Sequence, residues 1–240
     1  MIAGFGFRSQ ALALFAALRI LSPTFAEART LQSGRLVIAV QEPFTVQEGK
    51  DLIQAMEGGM LVVEDFLGKG RETVTLRVYA RTADFTAANR VPWWVGGVLM
   101  GEEIRIQSVR VLKSKKILGS TLTHEYAHLV MKEVTGGRGP RWIEEGTAIY
   151  LAREFTANPP GKRSWTALEK ALARPFVDKD ASFRAYHEAR GSVEYLVRTY
   201  GREKYLNLLE NLRIGKDLDG AMKEAFGKNS QEVEAGYLKS

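Results

Sequence analysis

Two of the three histidines in this 240-residue chain lie in one short run, His124-Glu125-Tyr126-Ala127-His128. On a helix, residues four apart sit about 40° apart around the axis and one turn along it. Both imidazoles then reach a single ion, and Glu125 flanks them at the distance of a bound water. A divalent zinc held by two neutral nitrogens keeps places for a third ligand and that water, the layout of a hydrolytic site. The alternative is a pair of histidines that merely pack or hydrogen-bond inside a helix pair. Cysteine is absent, so disulfides, thiol catalysis and thiolate-bound zinc are excluded.

The elements around the motif must position it. From Lys115 to Lys132 apolar residues recur at three- and four-residue spacing, which predicts a buried helix ending near Thr135-Gly136-Gly137, where glycine supplies the left-handed stop. Gly136, Gly137, Gly139 and Pro140 then break the chain, and a second helix starts near Arg141 and folds back. Glu145 on that helix is the expected third ligand. Its neighbour Glu144 points about 100° away and cannot share the role. A first-turn acid favoured by the helix dipole is the other explanation for either glutamate, and it suits Glu144.

The run H-E-Y-A-H followed by Pro140-Arg141-Trp142-Ile143-Glu144-Glu145-Gly146-Thr147-Ala148-Ile149-Tyr150 resembles the gluzincin zinc metallopeptidases, most closely the peptidase MA-like domains. The resemblance covers most of the chain after about residue 35. It implies His124, His128 and Glu145 as ligands of Zn2+ and Glu125 as catalytic base. Upstream, Pro92-Trp93-Trp94-Val95-Gly96-Gly97 and then Glu103-Ile104-Arg105-Ile106 look like the family's turn and edge strand. Downstream, Ala185-Tyr186 and Gly191 to Gly201 resemble its C-terminal helices.

Peptide-bond hydrolysis also needs a donor for the developing oxyanion besides the metal. Tyr186 is the candidate catalytic residue, placed before a Gly191-Ser192-Val193 helix start much as the catalytic tyrosine of related aminopeptidases precedes a glycine; a buried structural tyrosine is the alternative. His187, the remaining histidine, is the other possible donor. The strand around Ile104-Arg105-Ile106 would take an extended peptide by strand addition, and the Trp93-Trp94 pair either helps hold it or forms a core corner. Related aminopeptidases grip the substrate amino terminus with a Gly-x-Met-Glu-Asn segment. Here Gly97-Val98-Leu99-Met100-Gly101-Glu102-Glu103 does not match, although Glu102 or Glu103 could still meet an amine. An endopeptidase or narrow processing peptidase is therefore expected, with a peptide or protein as substrate. The competing functions are a noncatalytic zinc-binding scaffold and a hydrolase of nonpeptide amides or esters. An intact Glu125 argues against the scaffold, because a structural site has no use for a base.

The formal charge of +6 is spread along the chain apart from Lys113-Ser114-Lys115-Lys116. That describes a solvated surface, and no nucleic-acid partner is expected. At the N-terminus, Arg8 precedes the apolar block Ala11 to Leu18, and Ala26-Glu27-Ala28 has the small-x-small form of a signal peptidase site. Residues 1–28 read as a probable signal peptide, hence a periplasmic or secreted protein, although Arg19 interrupts the apolar stretch and an amphipathic first helix is the alternative. No segment is long enough to span a bilayer.

Arg35 to Val40, Thr73 to Arg81 and Glu103 to Val111 read as strands, and Asp51 to Leu67 as a helix. The fold class is α+β: a small mixed sheet packed on the zinc-site helices, followed by a C-terminal helical bundle. Residues 29–155 form the zincin-like catalytic portion and 156–240 the helical portion. After Tyr150 the pattern is wholly helical, broken by Asn158-Pro159-Pro160-Gly161 and Arg174-Pro175.

Overall fold

The computed structural model describes residues 28–154, 161–173 and 177–240. The segment 1–28 read as a signal peptide, apart from Ala28, lies outside the described residues, as do 155–160 and 174–176. Five strands form one mixed sheet: β1 (Ala28–Ser33), β2 (Leu36–Gln41), β3 (Val74–Val78), β4 (Gly97–Met100) and β5 (Glu103–Ile106), in the order β1-β2-β3-β5-β4. Strands β2, β3 and β5 run parallel, while β1 and β4 close the two edges antiparallel. The alternating strand pattern explains the layering. Leu36, Ile38, Val40, Val74, Leu76, Val78, Ile104 and Ile106 all point into one core. On the opposite face the cross-strand pair Arg77 and Arg105 share Glu103, with hydrogen bonds of 2.6–3.1 Å.

Helix α1 (Val46–Leu67) and helix α4 (Leu118–Val134) cover the apolar face, α1 through Leu52, Met56, Met60 and Val63, α4 through Leu122, Tyr126, Leu129 and Val130. Helix α1 begins five residues before the expected Asp51. Thr45 accepts from the backbone of Glu48 (3.1 Å) and the Glu48 carboxylate returns to the backbone of Thr45 (2.8 Å), a capping box. Two short helices were not legible in the pattern, α2 (Thr82–Asn89) and α3 (Val109–Ser114). The second of these replaces the end of the expected strand 103–111. Helix α4 starts at Leu118 and not at Lys115, because Lys116 takes a left-handed conformation (φ 58) that ends α3.

Strand β5 is not an edge. It is hydrogen-bonded to β3 on one side and to β4 on the other, so the edge at this end of the sheet belongs to Gly97–Met100. The alternation of β5 comes from burial on one face only, and alternation carries no information about neighbours.

After α5 (Arg141–Ala152) the chain adds α6 (Trp165–Leu172), α7 (Lys179–Tyr200), α8 (Arg202–Arg213), α9 (Leu218–Phe226) and α10 (Ser230–Lys239). One apolar cluster runs without interruption from Leu36 of the sheet to Tyr237 of the last helix. The closest joint is between α5 and α7. A Cβ at Gly146 would run into the carbonyl oxygen of Ala189 and stand 2.7 Å from Val193 Cγ2. Only glycine lets the two helices come this near. Among the described residues, no helix is long and apolar enough to cross a membrane.

Candidate metal centre

Helices α4 and α5 form an antiparallel hairpin, and their facing sides bring three donor atoms together. His124 Nε2 and His128 Nε2 are 3.1 Å apart, and Glu145 Oε2 lies 3.6 Å from the first and 3.3 Å from the second. A tetrahedral zinc with bonds of about 2.0–2.2 Å holds neighbouring donors roughly 3.3 Å apart. The three separations therefore fit one ion of that size, with a fourth position left over. Side chains that merely pack have no reason to aim two ring nitrogens and a carboxylate oxygen at one point. Among the described residues, this is the trio whose donors converge in that way.

The electrostatics agree with the geometry. Burial by itself would lower the pKa of both imidazoles, but the charges and hydrogen bonds of neighbouring carboxylates outweigh it. Those of Glu154 and Glu145 hold His124 well above its ordinary 6.5, and Glu145 raises His128. Burial would likewise raise Glu145, yet the facing His128 and His124 hold it well below the usual carboxylate range. The carboxylates that favour a proton on each imidazole would equally favour a dication between them.

Over residues 55–239 the chain matches the peptidase MA superfamily. The chain belongs to that superfamily. Metallopeptidase-type hydrolysis is the activity this membership suggests. No curated protein matches the chain. The matched stretch opens inside α1 and closes inside α10, so it includes every element that carries the centre of this peptidase MA domain.

Glu125 is almost fully buried beside the trio, and burial, followed by repulsion from Glu145 and Glu154, raises its pKa. Strand β4 starts directly on it. A Cβ at Gly97 would stand 2.8 Å from Glu125 Cγ and 3.0 Å from Thr121 Cγ2, so the missing side chain lets the sheet edge lie against the carboxylate. Glu144 lies outside the cluster and packs toward Gly139.

Tyr186, on α7, is near enough to the same cluster to feel its charges. Its pKa is raised by burial first and then by the charges of Glu145 and Glu125, so the hydroxyl keeps its proton. The expected helix start at Gly191 does not exist. Helix α7 is continuous from Lys179 to Tyr200, and Tyr186 lies inside it, within electrostatic reach of Glu145 and Glu125. His187, about 100° further round, is outside the cluster. Glu102 and Glu103 are not poised for an amine: Glu102 pairs with Arg71 (2.9 Å) and Glu103 with Arg77 and Arg105. The tryptophan pair is no core corner, since Trp93 is 60% exposed, with Lys115 and Lys179 over its ring at 5.7 and 5.4 Å.

One residue of the site has no counterpart in the sequence reasoning. Glu154 Oε2 lies 3.5 Å from His124 Nδ1, on the side of the ring away from Glu145. The motif ends at Tyr150, and nothing in local spacing points to a glutamate past the end of α5.

Proposed function

We propose that the protein is a zinc-dependent peptidase in which His124, His128 and Glu145 hold the ion and Glu125 is the general base. The observation that carries this is the convergence of the two Nε2 atoms and Glu145 Oε2 on one point, with a buried carboxyl of raised pKa alongside. Bound there, zinc supplies Lewis acidity, lowering the pKa of a water and polarising a carbonyl. The carboxylate of Glu125 takes a proton from the attacking water and delivers it to the leaving amine. A pKa above the ordinary 4.5 suits that double task near neutrality. Tyr186, held protonated, donates to the oxyanion that forms on the scissile carbonyl.

The substrate is an extended peptide laid along the edge of β4, whose first residue touches Glu125. Backbone pairing along that edge does not depend on side-chain identity, and Glu102 and Glu103 are engaged by arginines. Both points favour an endopeptidase or narrow processing peptidase over an aminopeptidase. The N-terminal segment read as an export signal adds that it acts outside the cytoplasm.

Substituting Glu125→Gln tests the assignment. Zinc content should stay at that of the parent while cleavage of a broad peptide mixture, mapped by mass spectrometry, falls by about 10²–10⁴-fold. A variant as fast as the parent removes Glu125 from the chemistry. Parent protein that holds zinc but cuts no peptide in the mixture is instead the noncatalytic scaffold of the same fold.

A further inference from the structure

His124 is held from both sides by carboxylates of one helix and its exit turn. Glu145, near the start of α5, faces Nε2, and Glu154, just past its end, faces Nδ1 at 3.5 Å. The hairpin explains how one element does both. Because α5 runs antiparallel to α4, moving from Glu145 toward Glu154 carries the chain from the level of His128 past His124. The turn then fixes the second carboxylate. Arg153 adopts a left-handed conformation (φ 54, ψ 33), its N–H donates to Tyr150 O (3.3 Å), and the Glu154 N–H donates to Ile149 O (3.2 Å). These paired bonds form the reversal that usually places glycine at the left-handed position. An arginine stands there instead, and the chain still makes the turn that presents Glu154.

The His124 Nδ1 atom is buried, and at 3.5 Å the Glu154 contact is an ion-pair distance, not a well-formed hydrogen bond. No closer acceptor meets it among the described residues. A buried ring N–H without an acceptor is costly, and an imidazole left without one has no preferred tautomer or orientation.

We propose that Glu154 is the positioning residue of the metal centre: its carboxylate accepts from Nδ1–H of His124 and so keeps Nε2 unprotonated and turned toward His128 and Glu145. Carboxylates behind ligating histidines act in this way in metal sites generally, fixing the tautomer and raising ligand basicity. The assignment rests on the metal-centre part of the proposed function but not on catalysis.

The test is zinc affinity, measured by chelator competition on the purified protein. Glu154→Ala should weaken zinc binding by about 10–100-fold, and Glu154→Gln, which keeps an acceptor but loses the charge, should fall in between. Arg153→Gly, which relaxes the turn and keeps the carboxylate, should bind as the parent does. A second readout needs no metal. In the zinc-free protein, at a pH above the raised His124 pKa so that the ring is neutral, nitrogen-15 shifts should place the His124 proton on Nδ1 in the parent and distribute it over both nitrogens in Glu154→Ala. Melting of the zinc-free variants, taken at a pH where His124 is neutral so that its ion pair with Glu154 does not enter, is the control for folding. The proposal is overturned if Glu154→Ala and Glu154→Gln bind zinc within twofold of the parent, or if the tautomer does not change. Parent protein without zinc affinity ends both this assignment and the metal centre. Zinc binding that depends on Glu154, with no peptide cleaved, ends the peptidase assignment and leaves this one standing.

Discussion

Helix α4 carries charge on two opposite sides, and the two sides are wired differently. On the side away from the site, Tyr126 donates to Glu64 and accepts from the backbone N–H of Arg71 (3.2 Å). Glu64 also meets Arg35 (2.8 Å), and Arg71 meets Glu133 and Glu102. Each carboxylate there faces a guanidinium, a cation that never loses its proton. On the site side, Glu145 and Glu154 face imidazoles, which are neutral near pH 7 unless something charges them. The first network is complete as it stands and ties α1, the sheet and α4 together. The second is complete only with protons or a dication. Carboxylates matched to arginine therefore mark architecture, and carboxylates matched to histidine mark a place prepared for a further charge.

The sharpest way to break the contrast is to remove one member from each side. His128→Ala should abolish stoichiometric zinc, read by metal analysis after dialysis, while the fold persists. Arg71→Met should retain zinc and cost on the order of 1–3 kcal/mol of stability. Zinc retained in the first, or lost in a still-folded second, would erase the distinction.

A gentler comparison uses the two tyrosines. Tyr186→Phe should reduce turnover by about 10²-fold, the size expected for one oxyanion donor, with melting unchanged. Tyr126, whose hydroxyl beside Glu64 is pushed up to about 12 by burial and that carboxylate, should do the reverse. Removing its hydroxyl leaves Glu64 and an Arg71 N–H short of a partner, at about 1–3 kcal/mol, with turnover per folded molecule preserved. Equal effects of the two substitutions on turnover would return Tyr186 to a structural role.

The smallest effect is in pH dependence. In metal-free protein His124 and His128 are raised above 6.5, so their contribution is fully present below pH 6.5 and is lost as pH climbs through the raised values. Glu145 is depressed below 4.5, so its contribution is present above pH 4.5 and is lost on acidification. Glu125, raised by burial above 4.5, contributes fully below pH 4.5 and loses that contribution as pH climbs through its raised value, which tilts the peak toward the acid end of the window. Melting temperature from this cluster should peak between pH 4.5 and 6.5. With saturating zinc the slope above pH 6.5 should reverse, because ligation needs neutral imidazoles. Parallel slopes with and without zinc would mean that protons and metal do not share the site.

Much of this was legible residue by residue. The spacing of His124 and His128 fixes their common face whenever the segment is helical, and the glycine-proline break before Arg141 makes a hairpin the short solution for Glu145. The apolar alternation of residues 74–78 and 104–106 gives one buried face. What escaped was whatever depends on neighbours distant in sequence. Strand order is one case: β4, and not β5, is the edge, although their own residues do not say so. The setting of Tyr186 is another: it was read as preceding a helix start that α7 does not have. The roles of Trp93, Glu102 and Glu103 were likewise set by partners from other elements.

By itself the sequence determined a helix bearing two imidazoles and a carboxyl on adjacent faces, and a second helix with a glutamate one turn from its start. Those follow from 3.6-residue periodicity and from the short reach of the chain between the two helices. Only the tertiary structure decided that Gly146 lets α7 pack directly on α5, that Gly97 seats the sheet edge on Glu125, and that Glu154 returns to the back of His124. Each of these is a contact across the fold, set by how closely two backbones approach, and no local pattern encodes that distance.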